Sequence, residues 1–237
     1  MFFSLKRSDL LFVITSFLGS ALAAAVLLLA IVLLVLILAS LVLVVILKRS
    51  FVAWGGWVAA VFSAIYMLHI LMWGLSYHAG DLSNDLRLDT SSYNLEELTE
   101  ATEYYRDKAN ALAVQVARDE QGNVKFSDFE ALAQAAGKGF EVLTYEHHYP
   151  VFAGSRLPVK ELGWADLYSS MGITGVTFGI TGEAAVNPQI PDVTLPFTIA
   201  HEMAHRMCIA PERDANFAAY LACSVHPSVE FEYSGSF

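Results

Sequence analysis

Residues 11–47 carry no charged side chain, and this run constrains the chain more than any other feature. As one helix it would be roughly 55 Å long, against ~30 Å for the hydrocarbon core of a bilayer. It is also far longer than the apolar centre of a signal peptide. The expected division is an interfacial approach over 9–19 and one span over 21–47. A second span is expected over 51–77, with Trp54, Trp57, Trp73 and Tyr77 near its ends, where amphipathic rings favour the membrane surface. His69 falls inside it and is read as a neutral side chain facing a neighbouring helix. Lys48 and Arg49 occupy the tight loop between the spans. Basic loops favour the cytoplasm, so the chain after residue 78 is expected to be extracytoplasmic, although Lys6 and Arg7 pull the other way. The expected localisation is membrane, multi-pass, with the lipid bilayer as a partner.

Beyond the apolar region the composition becomes that of a globular domain. From residue 78 onward there are ten Lys and Arg against 23 Asp and Glu, a net charge of −13. That excludes nucleic-acid binding through the phosphate backbone. Only two cysteines occur, Cys208 and Cys223, so no Cys-x-x-Cys metal or redox motif exists. They are read as two small core residues in preference to a disulfide. The domain division is a membrane anchor over 1–77, a polar linker over 78–92 and a soluble domain over 93–237.

Within that domain, residues 94–116 read as an amphipathic helix. Asn94 and Glu97 have the form of a capping box. Leu95, Leu98, Ala101, Tyr105, Ala109, Leu112 and Val116 make the apolar stripe. Glu96, Glu97, Glu100 and Glu103 are read as a solvated face near the helix N-terminus. Ser127 or Asp128 caps a further helix, which Gly137-Lys-Gly139 is expected to end, and a short helix follows over 140–149. His147 and His148 are adjacent and read as surface residues. Gly, Pro and β-branched residues dominate 159–193, where helix signals vanish. Ile173-Thr-Gly-Val-Thr-Phe-Gly-Ile-Thr181 has strand composition broken by glycine. An edge strand there would suit an extended peptide. Glu183 and Asn187 either line a cleft or hold this loop.

The chemistry concentrates in Thr194-Leu-Pro-Phe-Thr-Ile-Ala-His-Glu-Met-Ala-His-Arg-Met-Cys208. Pro196 suits a first helical turn. On a helix, His201 and His205 share one face, one turn apart, so both imidazoles can reach a single Zn2+ with Glu202 beside them. Ile199, Ala200, Met203 and Ala204 make the helix look buried, and buried imidazoles and carboxylates are costly unless something satisfies them. A second helical pattern follows from Pro211, with Glu212 and Asn216 four apart and Phe217, Tyr220 and Leu221 as an apolar face. Zinc peptidases of the gluzincin type take a third ligand from a Glu on a later helix, with an Asp or Asn four positions on. Glu212 and Asn216 have that form. His226 and Tyr233 are the nearby candidates for an oxyanion donor. The chain stops in mid-pattern, and a C-terminally truncated domain is expected.

Several stretches together resemble an uncharacterised bacterial membrane-protein family, a domain of unknown function with a zinc-metallopeptidase signature. They are Trp73-Gly-Leu-Ser-Tyr77, Gly172-Ile-Thr-Gly175, Thr181-Gly-Glu-Ala-Ala-Val-Asn187, Leu195-Pro-Phe-Thr198, His201-Glu-x-x-His205, Ala215-Asn-Phe217, Leu221-Ala-Cys223 and Tyr233-Ser-Gly235. The opening Phe3-Ser-Leu5 is similar as well. Cys208 stands where the family tends to have Gly, Arg206 where it has Gln, and Asp214 where it has Glu, so Asp214 is an alternative metal ligand. The gap from His205 to Glu212 is short for a thermolysin-like protein.

The resemblance implies an α+β protein: N-terminal transmembrane helices, then a mainly helical zincin-like domain with a small irregular β-sheet before the HExxH helix. It implies a membrane-anchored zinc metallopeptidase acting on a peptide or protein substrate. His201, His205 and Glu212 would be the metal ligands, Glu202 the catalytic base and Asn216 the residue orienting an imidazole. The alternatives are a membrane-anchored binding or sensor module with a structural metal, closed by Asp214 or Cys208, and a degenerate peptidase without activity.

Overall fold

The structure is a computed structural model that describes residues 28–154, 156–179 and 181–237. The interfacial approach over 9–19 and the start of the first span lie outside the described residues. The chain divides into two units, Met1–Leu75 and Ser76–Phe237.

The first unit holds two apolar helices, α1 (Leu28–Ile46) and α2 (Phe51–Met72), both long enough to cross a membrane and unburied by protein. Lys48 takes a positive φ in the turn between them, and the Ser50 hydroxyl caps α2 by accepting the Ala53 N–H. Trp54 Nε1 donates to Ser40 Oγ at 2.9 Å, and Ser40 Oγ donates to the Ile37 carbonyl, so the indole links the two helices. The second span was expected to continue to residue 77. It ends at Met72, and a 3-10 turn follows over Gly74–His78.

The second unit is mostly helical around a three-stranded sheet. Its helices are α3 (Leu82–Asp85), α4 (Leu95–Ala113), α5 (Phe129–Ala135), α6 (Gly137–Tyr145), α7 (Ala165–Ser170), α8 (Leu195–Arg206), α9 (Glu212–Ser224) and α10 (Val229–Ser236). Strands β1 (Lys160–Glu161), β2 (Gly175–Phe178) and β3 (Glu183–Val186) are ordered β1-β3-β2, with β1 parallel and β2 antiparallel to β3. Helix α8 lies against β2 and β3 on one side and against α9 and α10 on another. Ile199 and Met203 are fully buried at its centre, each contributing about 1.5–3 kcal/mol by leaving water. Phe140, Phe152, Val159, Val186 and Phe231 complete the core around it.

Local signals hold where the chemistry is local. Asn94 and Glu97 form the expected capping box on α4, and Asp128 caps α5. Four expectations are corrected. The segment over 78–92 is more than a linker, because Leu82 and Leu86 are buried in the core of the second unit. The apolar stripe of α4 is buried only at its C-terminal end, at Leu112, with Val116 just beyond the helix; Leu95 and Leu98 are exposed. Helix α5 ends at Ala135, where an end was expected, but Gly137 and Gly139 belong to α6, which follows at once. A Cβ on Gly139 would sit 2.1 Å from the Ala222 carbonyl oxygen, so the glycine is there to admit the backbone of α9. Helix α7 occupies a stretch read as free of helix, entered through Trp164 at positive φ.

Helix α9 departs from its expected face in the same way. Ala215, Ala218, Ala219 and Ala222 are buried, while Phe217, Tyr220 and Leu221 are only half-buried. Close approach by α6 and α8 selects the small residues, not the large ones. Cys223 is buried and Cys208 exposed, both as free thiols, so only Cys223 is the core residue expected of both.

Candidate functional site

The site grows out of the way α8 ends. Met207 closes the helix and Cys208 takes a left-handed φ of 69°. The Ile209 N–H returns to the Ala204 carbonyl and the Cys208 N–H to the His205 carbonyl. That bonding is a Schellman turn, which places a residue in the left-handed region where glycine is favoured. Cys208 therefore stands at a position that needs positive φ, which a side-chain-bearing residue adopts only with strain. Cys208→Gly is expected to raise stability by about 0.5–1 kcal/mol, read as a higher urea midpoint. An unchanged or lower midpoint would deny strain there.

The same turn aims the Ile209 carbonyl back at α8, and His205 Nδ1 lies 2.9 Å from it. Nδ1–H donating to this carbonyl puts the lone pair on Nε2, the tautomer a metal ligand needs. His201 lies one turn earlier, its ring edge-on to His205 with centroids 4.5 Å apart. The chain then crosses Pro211 into α9, whose first residue is Glu212. Its two carboxylate oxygens lie 3.2 Å from His201 Nε2 and 3.4 Å from His205 Nε2. One ligand atom from each of His201, His205 and Glu212 lies within 4.8 Å of the others, a grouping that could hold a metal ion.

Burial pushes the His201 pKa down and the neighbouring His205 adds to this, while Glu212 and Asn216 pull the other way. Burial thus favours the neutral imidazole, the form able to bind a cation. Asn216, one turn along α9 from Glu212, therefore stands within side-chain hydrogen-bonding reach of His201, while His201 Nδ1 is buried without a hydrogen-bond partner among the described residues.

Glu202 is buried on the β2 side of α8. Thr177 Oγ1 lies 2.7 Å from Glu202 Oε2 and 3.2 Å from the Glu202 carbonyl. A Cβ on Gly175 would fall 2.5 Å from Glu202 Oε1, so the strand leaves room for the carboxylate only because glycine stands there. Burial raises the Glu202 pKa, against the Thr177 hydrogen bond, which lowers it. Neither Thr177 nor Gly175 is a candidate in the sequence reading. The only trace there is the glycine spacing of the strand itself.

The remaining candidates are structural. Asp214 is not a metal ligand in this arrangement. Its Oδ2 accepts the Leu82 N–H and its Oδ1 accepts from Arg213 Nε, because its place on α9 turns it away from the imidazoles. Glu183 pairs with Lys160 at 2.6 Å, tying β3 to β1. Asn187 is fully buried and holds the loop: its amide donates to Ser169 Oγ and its oxygen accepts the Gln189 N–H. Of the two expected roles for these residues, cleft or loop, the bonds of Asn187 are those of the loop. His226 Nε2 meets the Ala135 carbonyl, Nδ1 accepts the Ser228 N–H, and the ring stacks on Phe231. It is not placed to serve an oxyanion. Tyr233 is buried edge-on to Phe126. Its neighbour Ser234 accepts the Phe197 N–H, satisfying a free donor in the first turn of α8, and Gly235 admits Cys223. Arg206 places its guanidinium on the Leu157 and Pro158 carbonyls, and burial lowers its pKa to about 10.

Residues 5–237 match the model of one protein family, described as "Protein of unknown function (DUF3810)". No curated protein matches the chain, and no solved structure does.

Proposed function

The chain belongs to the DUF3810 family, of unknown function, and from that premise we propose that it is a membrane-anchored zinc metallopeptidase. The observation that carries the reading is the approach of Glu212 to both imidazoles of one helical turn. Zinc bound tetrahedrally at ~2.0–2.1 Å sets its ligand atoms about 3.3 Å apart. One Glu212 oxygen lies 3.2 Å from His201 Nε2 and the other 3.4 Å from His205 Nε2, so each ring has a carboxylate oxygen at about that separation. The fixed tautomer of His205 fits an imidazole held for a cation.

When bound, zinc supplies Lewis acidity that makes water acidic and polarises a carbonyl. Glu202 takes the proton from the attacking water and delivers it to the leaving amine. Burial raises its pKa above the usual carboxylate range, the direction that favours holding a proton between the two transfers. Thr177 and Gly175 hold it from β2. Strand β2 is at the edge of the sheet, its other side paired to β3, and an extended peptide added to that edge would run past Glu202.

A structural metal would need a fourth protein ligand. Asp214 is engaged elsewhere, and Cys208 is exposed and outside the cluster found among the described residues. This favours the peptidase over the binding or sensor module. The apolar helices α1 and α2 are the anchor of this reading, with the basic loop at Lys48 and Arg49 cytoplasmic and the second unit outside.

The test is metal binding by the full chain in detergent. One zinc per chain is expected, removable by chelator, with affinity lowered more than about 100-fold in His201→Ala and Glu212→Ala, since loss of a ligand exceeds the loss of an outer partner. A wild-type chain that takes up no zinc in competition with a chromophoric chelator would overturn the reading.

A further inference from the structure

Among the three grouped side chains, Glu212 differs from the imidazoles. Its side chain is 72% exposed, whereas those of His201 and His205 are 14% and 8% exposed. Packing does not fix it; the first turn of α9 must. That turn begins at Pro211, which has no side-chain cap to offer. Asp214, two residues after Glu212, is instead buried and turned inward. Its Oδ2 accepts the Leu82 N–H at 3.1 Å. This N–H is a first-turn donor of α3, whose own N-cap Asp81 makes no side-chain cap bond. Asp214 therefore caps a helix from which it is separated by 132 residues of sequence. Its other oxygen accepts from Arg213 Nε, and the same guanidinium pairs with Asp81. Leu82 and Leu86 anchor the far side of this clamp in the core. Beside it lies a polar cleft of about 320 Å³, bordered by Tyr77, His78 and Pro211.

We propose that Asp214 is a positioning residue for the metal centre: by capping α3 it fixes the first turn of α9, and so places Glu212 against both imidazoles. The segment over 81–86, which follows the apolar hairpin in sequence, is then part of what builds the centre. This inference rests on the zinc reading above. The buried carboxylate with two bonded oxygens leaves α9 little freedom to rotate, and a rotation of one residue, ~100° on a helix with ~3.6 residues per turn, would carry Glu212 off the shared face.

The test compares zinc affinity and thermal melting of the metal-free full chain for wild type, Asp214→Ala, Asp214→Asn and Asp81→Ala. Leu143→Ala, in the core at α6, serves as a control for general destabilisation. Asp214→Ala is expected to weaken zinc binding about 10-fold or more, the scale of losing an outer partner of a ligand. Asp214→Asn keeps one acceptor for the Leu82 N–H and is expected to recover part of the loss. Leu143→Ala should lower the melting temperature with zinc affinity unchanged. If Asp214→Ala does not fold, Asp81→Ala carries the comparison with a smaller loss in the same direction. The inference is overturned if wild type binds zinc and the Asp214 and Asp81 variants bind it equally well, or if Leu143→Ala weakens binding as much as they do. Absence of zinc binding in wild type overturns the peptidase reading itself.

Discussion

Glu202→Gln is expected to keep zinc at the wild-type level and lose peptide cleavage by about 100- to 10,000-fold, the range for removing a general acid–base group. The amide has nearly the shape of the carboxylate. It can still accept from Thr177 Oγ1, and it fits the space that Gly175 leaves open. What it loses is the capacity to take up and return a proton. Cleavage of a fluorogenic peptide mixture, with metal content measured on the same sample, separates the two effects. A variant that cleaves as fast as wild type would remove Glu202 from the mechanism. A zinc-loaded wild type without chelator-sensitive cleavage would favour the inactive alternative.

Gly139→Ala is expected to destabilise the second unit by about 3 kcal/mol, at the upper end for inserting one carbon into a filled space. The added Cβ would meet the Ala222 carbonyl oxygen at 2.1 Å and its carbon at 2.8 Å. Both are backbone atoms, so no side chain can swing aside. Helix α9 would have to move, and with it Glu212 at its start. For a domain of this size the melting temperature should fall by roughly 6–12 °C. Gly163→Ala is the matched control, since nothing lies within 4 Å of a Cβ there. Equal melting of the two variants would mean that α6 and α9 do not meet so closely.

The site residues divide by what they depend on. His201, Glu202 and His205 were legible because their relation is fixed by one helix: four residues bring two side chains to one face whatever surrounds them. The caps at Asn94 and Asp128 were legible for the same reason, since each bonds a backbone N–H three residues away. Glu212 against Asp214 was not decidable in this way. Both sit in the first turn of α9, two residues apart and so on different faces. The packing of α9 against its neighbours, with Asp214 turned to the Leu82 N–H, determines which one faces the imidazoles.

Sequence by itself determined the apolar hairpin segments, the acidic second unit and the pairing of two imidazoles on one turn. Each follows from composition or from short periodicity. Tertiary structure decided that Thr177 and Gly175 hold Glu202, that Asp214 caps α3 instead of joining the imidazoles, and that Gly139 and the alanines of α9 form a contact surface. These relations join residues up to 132 positions apart. Their distances are set by how helices and strands fill a common core. No local pattern carries that information, because the same glycine or carboxylate reads alike in a turn, on a surface or against a neighbouring backbone.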